Sequence, residues 1–105
     1  MNMYDVVPRH IVEYKTDQNG KITLLKPKFT NPFIVKHLLS RMNNRYIKID
    51  LDEIGATVWT KIDGKKNAIE IADEVEKELG EKIQPTYQRL GIYLSLLKHK
   101  KFVEY

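Results

Sequence analysis

At 105 residues, 42% hydrophobic and 30% charged, the chain has the make-up of one ordinary globular domain, not of a disordered tail. Zero cysteines exclude disulfides, thiolate metal sites, iron–sulfur ligation and thiol catalysis, and they fit a cytoplasmic protein. No apolar run approaches the roughly 20 residues of a membrane span, and Met1-Asn2-Met3-Tyr4-Asp5 lacks the basic-then-apolar order of a signal peptide, so neither membrane contact nor export is expected.

Residues 10–16 alternate as a strand, with Val12 and Tyr14 on one face and Ile11 and Glu13 on the other. Asp17-Gln18-Asn19-Gly20 supplies turn chemistry, and residues 21–25 form the return strand of a hairpin over 10–25. Pro27, with no N–H to give a ladder, is expected to stop it. Asn31-Pro32 reads as a helix start, followed by Ile34, Val35, Leu38, Leu39 and Met42 at helical spacing up to Asn43-Asn44. Residues 46–50 alternate again, with Ile47 and Ile49 on the core side. This strand is short and follows an insertion, so it is expected at the sheet's edge.

Three helices follow. The first, over 51–62, is capped by Asp50 and Glu53 in capping-box spacing; Leu51, Ile54, Val58 and Ile62 form its apolar stripe, with Trp59 flanking. Asp63-Gly64 closes it. The second, over 68–79, repeats the cap with Asn67 and Glu70 and carries Ala68, Ile71, Ala72, Val75 and Leu79 inward until Gly80 ends it. The third runs over 86–98 behind Pro85, with Tyr87, Leu90, Leu94 and Leu97 inward. Gly91 inside it costs about 1 kcal/mol relative to alanine, which points to close packing, expected against Gly55; room for a ligand backbone is the other reading. Residues 102–105 form a last short strand. The whole is one α+β domain, winged-helix-like, with an N-terminal hairpin and short strand before a three-helix bundle.

Catalytic chemistry is hard to place on this chain. His10, His37 and His99 lie far apart, without a partner histidine at ligand spacing. Ser40 and Ser95 lack a Gly-x-Ser-x-Gly setting. The neighbours Asp52/Glu53 and Asp73/Glu74 diverge by about 100° on a helix and do not converge on one substrate. The five glycines are spread out and form no phosphate-cradling loop. No catalytic residue, metal ligand or cofactor site is predicted.

Binding chemistry is easier to place. An edge strand offers backbone groups to an incoming extended peptide. The third helix presents a second face of Thr86, Arg89, Tyr93, Leu96 and Lys100, combining positive charge with apolar surface. The run Leu51-Asp52-Glu53-Ile54-Gly55-Ala56-Thr57-Val58-Trp59, followed by Asp63-Gly64, resembles the PqqD family of small peptide-chaperone domains, the precursor-peptide recognition elements of ribosomal peptide maturation. The resemblance covers residues 46–105. It implies a single PqqD-like domain over 1–105 that holds a leader peptide between the 46–50 strand and the third helix. Carried over by position, Tyr46, Ile47, Lys48 and Ile49 form the strand wall, and Arg89, Tyr93 and Leu96 the helix wall. The partners it implies are a precursor or partner peptide and its modifying enzyme, a radical SAM enzyme included.

The stretch 27–45, with its extra helix, is longer than the connection typical of that family; it would lie over the strand edge or make a dimer contact. For Tyr93 and Leu96 the alternative is burial against the C-terminal strand or a second subunit of a homodimer. The alternative function is winged-helix nucleic-acid binding, which the net charge of +4 invites. The distribution of charge argues against it: Asp73, Glu74, Glu76 and Glu78 share one helix, Asp17 sits between Lys15 and Lys21, and Gln84-Pro85-Thr86-Tyr87 opens the third helix without charge.

Overall fold

The computed structural model describes residues 2–28 and 46–105, so the helix expected over 31–42 and the rest of the insertion up to Arg45 lie outside the described residues. The elements in chain order are β1 (Arg9–His10), β2 (Glu13–Thr16), β3 (Ile22–Pro27), β4 (Tyr46–Asp50), α1 (Glu53–Lys61), α2 (Ala68–Leu79), a 3-10 turn (Gly80–Ile83), α3 (Thr86–His99) and β5 (Val103–Glu104). The architecture is α+β, with the hairpin, strand and three helices in the expected order.

The hairpin turn is made by Asp17, whose Oδ1 accepts from the backbone N–H of Asn19 at 2.8 Å and of Lys21 at 2.9 Å, while Gly20 takes a left-handed φ of 81°. β2 and β3 pair antiparallel from Glu13 opposite Leu25 to Thr16 opposite Ile22. The strand expected over 10–16 is not continuous. It breaks at Ile11-Val12, and its first part, β1, leaves the hairpin to pair with β5, Arg9 opposite Glu104 and His10 opposite Val103. Ile11 N–H donates to Phe102 O at 3.0 Å, Arg9 is ion-paired with Glu104, and Val12 turns onto the core. The C-terminal partner, remote in sequence, decides the break. β3 also runs two residues beyond Leu25 to include Pro27, opposite Tyr46, because a proline at a strand's end removes only the last ladder bond.

Among the described residues the larger sheet has the order β2-β3-β4, which puts β4 at one end. Ile22 and Leu24 of β3 are fully buried beneath the helices, and Ile49 lies opposite Leu24. Ile47, expected on the core side, is 47% exposed; it lies opposite Lys26, beyond the last core leucine of β3.

α1 begins later than its sequence suggests. Asp50 is held in the sheet, accepting from Thr23 Oγ1 at 2.7 Å and pairing with Lys21 at 3.3 Å. The N-cap is instead Asp52, whose Oδ1 accepts from Gly55 N–H at 2.7 Å, and Glu53 is ion-paired with Lys82 at 3.0 Å. Trp59 does not flank the stripe but lies at its centre, wholly buried with Val58 and Ile62, whereas Leu51 and Ile54 pack at the core's margin. The His10 ring stacks on the Trp59 indole (centroids 3.7 Å apart, planes at 4°), with Tyr14 edge-on to both. His10 Nε2–H donates to Trp59 O at 3.0 Å, which fixes the tautomer and ties β1 to α1.

α2 follows its sequence closely. The Asn67 side chain accepts from Glu70 N–H at 2.9 Å while the Glu70 carboxylate accepts from Asn67 N–H at 3.1 Å, a full capping box. Ala68, Ile71, Ala72 and Val75 are buried, and Gly80 ends the helix at a φ of 56°. The 3-10 turn that follows drives Ile83 into the core. On α3, Leu90, Leu94 and Leu97 face inward, but the first turn is rotated from expectation: Thr86 is buried, and Tyr87 points out to donate its hydroxyl to Asp73 at 2.9 Å. None of the helices among the described residues is long and apolar enough to cross a membrane.

Candidate functional site

The C-terminal end of β4, the start of α1 and the outer side of α3 enclose a groove of 390 Å³. Three of the seven residues singled out from the sequence line it: Ile49 from β4, and Tyr93 and Leu96 from α3. Leu51, Leu97 and Phe102 add apolar wall, Asp52 and Gly55 contribute the capped end of α1, and Lys100 stands at the rim. Phe102 enters because the chain doubles back after α3, its N–H donating to Leu97 O at 2.9 Å and its C=O receiving Ile11 N–H. Nothing local to Phe102 announces this. Lys100, one turn beyond Leu96, belongs to the helix face that spacing alone picks out.

The remaining four lie outside the groove. Tyr46, Ile47 and Lys48 occupy the earlier part of β4, opposite Pro27, Lys26 and Leu25. Arg89 lies one turn up α3, where it lines an adjoining cleft of 330 Å³ with Ile92, Tyr93 and Leu96. Its guanidinium donates to Lys82 O at 2.6 Å, which anchors one side of the fork and leaves further N–H groups for an acceptor. The two cavities share Tyr93 and Leu96, so they form one surface running along α3.

The polar groups of this surface have distinct states. Burial raises the Tyr93 phenol above its usual range and the Asp52 charge adds to it, partly offset by the Arg89 charge and its hydrogen bond. Tyr93 therefore stays a neutral hydroxyl, able to donate to a carbonyl. Hydrogen bonds from Thr23 and Lys21, with the Lys21 charge, hold the Asp50 carboxyl below its usual range. Asp52 is engaged with Gly55 at the helix cap.

A groove with apolar walls, a neutral phenol and a lysine at its mouth is suited to gripping an apolar side chain and hydrogen-bonding the backbone that carries it. Among the described residues, no three His, Asp or Glu side chains gather where they could hold a metal ion.

Gly55 and Gly91 do not meet as the sequence suggests. A Cβ built on Gly55 would stand 3.1 Å from Asp52 Oδ1, so this glycine clears space for the capping carboxylate of its own helix. Among the described residues, a Cβ on Gly91 would have no neighbour within 4 Å. Comparison with protein-family models, with curated proteins and with solved structures gives no match.

Proposed function

We propose that this chain is a non-catalytic peptide-binding adaptor resembling PqqD, which holds a precursor or partner peptide as an added strand along β4 and presents it to a modifying enzyme. The observation that carries this reading is the groove between the end of β4 and α3, where Ile49, Leu51, Tyr93, Leu96 and Phe102 converge. An extended segment entering there would place alternate side chains into the groove while its backbone runs beside β4, the recognition mode of strand addition. Arg89 and Lys100 favour acidic side chains along the α3 side, whereas Asp50 and Asp52 give the strand end of the groove the opposite charge. By the resemblance, the modifying enzyme is of the radical SAM class, and the cysteine-free sequence suits a cytoplasmic setting.

Calorimetric titration with peptides encoded beside the gene tests the proposal, using the wild type, Tyr93→Ala and Arg89→Glu. Saturable binding of one such peptide, weakened by both variants, supports it. Binding untouched by either variant removes the site from this groove, and no binding by any neighbouring peptide refutes the adaptor role.

A further inference from the structure

β2 closes the larger sheet at the opposite end from β4, and among the described residues nothing pairs with its outer edge. All four of its residues are exposed. The hairpin turn sets its hydrogen-bond phase. Asp17 N–H donates to Lys21 O at 3.0 Å, so Asp17, Lys15 and Glu13 direct their backbone groups to β3. The N–H and C=O groups of Tyr14 and Thr16 therefore point away from β3, off the edge of the sheet. Edges of this kind are commonly guarded by proline, a bulge or like charges. β2 has no proline, and its two charges, Glu13 and Lys15, are opposite in sign.

We propose that this edge pairs antiparallel with β2 of a second copy, joining two three-stranded sheets into one. Charge selects both the occupant and the register. On the outer face of the sheet Glu13, Leu25 and Lys48 lie in one row across the strands, and Lys15, Thr23 and Asp50 lie in the next. A two-fold axis at Tyr14 sets Glu13 of each copy opposite Lys15 of the other. Each joined row then runs from Lys48 to Glu13 of one copy and on to Lys15 and Asp50 of the other, alternating in sign throughout. Tyr14 meets Tyr14 in the phase that lets each N–H donate to the other C=O. The chain thus carries the complement of its own edge.

The other two-fold registers fail. An axis at Lys15 opposes the two lysines and sets Glu13 against Asp17, and an axis at Glu13 opposes the two glutamates. An axis at Thr16 carries the ladder into the Asp17–Gly20 turn, whose carboxylate is already engaged by Asn19 and Lys21. On the inner face the favoured register brings together the two Tyr14 side chains, each 46% exposed although its ring meets His10 and Trp59. Thr16 falls opposite Val12, where the chain bends, so the ladder is short and the dimer weak. β4 and α3 take no part. Each copy keeps its 390 Å³ groove, and the inference stands apart from the peptide-binding reading.

Sedimentation velocity of the full chain from low micromolar to near-millimolar concentration is the test, with amide hydrogen exchange at Tyr14 as the backbone readout. The expected result is a species of twice the 12.4 kDa chain mass at the upper concentrations, in which exchange at Tyr14 is slowed. Glu13→Lys and Lys15→Glu each set like charges across the edge twice, so each should weaken association at least about tenfold with an unchanged circular dichroism spectrum. Mixed in equal amounts, the two variants should recover it, because the glutamates of one then face the lysines of the other. A monomer at every concentration, a dimer indifferent to both variants, a dimer in which Tyr14 exchanges as in the monomer, or a mixture no tighter than either variant alone overturns the proposal.

Discussion

Asp52 and Gly55 form a coupled pair that can be tested by a double-mutant cycle. Asp52→Ala removes the carboxylate that accepts Gly55 N–H at 2.7 Å, and loss of an N-cap of this kind costs typically about 1 kcal/mol. Gly55→Ala has two opposed effects. It removes the helix penalty of glycine, at most about 1 kcal/mol in this first turn, but places a Cβ 3.1 Å from Asp52 Oδ1, so the carboxylate must shift and its hydrogen bond weakens. In the wild-type background the two nearly cancel, or the substitution destabilises. In the Asp52→Ala background only the favourable effect remains, so Gly55→Ala should stabilise by up to about 1 kcal/mol. Denaturant unfolding monitored by circular dichroism resolves differences of this size, and a shift of 1 kcal/mol moves the melting temperature by about 4–8 °C in a domain near this length. Asp50→Ala is the control, because Asp50 binds Thr23 and Lys21 in the sheet and its loss should not change the effect of Gly55→Ala. Equal effects of Gly55→Ala in the wild-type and Asp52→Ala backgrounds would refute the reasoning.

Leu94→Ala, at a fully buried α3 position, should cost about 2–5 kcal/mol in denaturant unfolding, whereas the exposed Lys77→Ala should change stability by less than about 0.5 kcal/mol; comparable losses would contradict the core described here. Burial lowers the His10 pKa below the usual histidine value of 6.5, outweighing the opposing hydrogen bond to Trp59, so the unfolded chain takes up the proton first as pH falls. The stability from neutral His10 is therefore complete above 6.5 and declines as pH falls through 6.5 toward the lower folded pKa. The melting temperature should accordingly drop between about pH 7.5 and pH 5.5, and drop less in His10→Phe; an equal or steeper drop in the variant contradicts this assignment.

The parts of the fold legible in the sequence are those set by neighbours in the chain. Asn67 and Glu70 cap α2 with groups three residues apart, and Asp17 and Gly20 make a turn within themselves. The departures arise where a remote partner competes. The first strand breaks at Ile11-Val12 because residues 102–104 supply its pairing, and the α1 cap moves from Asp50 to Asp52 because Thr23, on another strand, holds Asp50. Tyr87 turns outward to reach Asp73 on α2, an attraction no periodicity encodes. The groove divides along the same line. Tyr93, Leu96 and Lys100 share a face by helical spacing and Ile49 follows from strand alternation, but Leu51, Leu97 and Phe102 join them only once α3 has doubled back on the sheet.

Amide chemical-shift mapping of the labelled protein, titrated with a peptide encoded beside its gene, tests the central claim most directly. The account predicts that saturating shifts concentrate on Ile49, Leu51, Tyr93, Leu96 and Lys100, along the groove between β4 and α3. Binding that instead shifts β2 and the Asp17–Gly20 turn while leaving those five residues unmoved would contradict it.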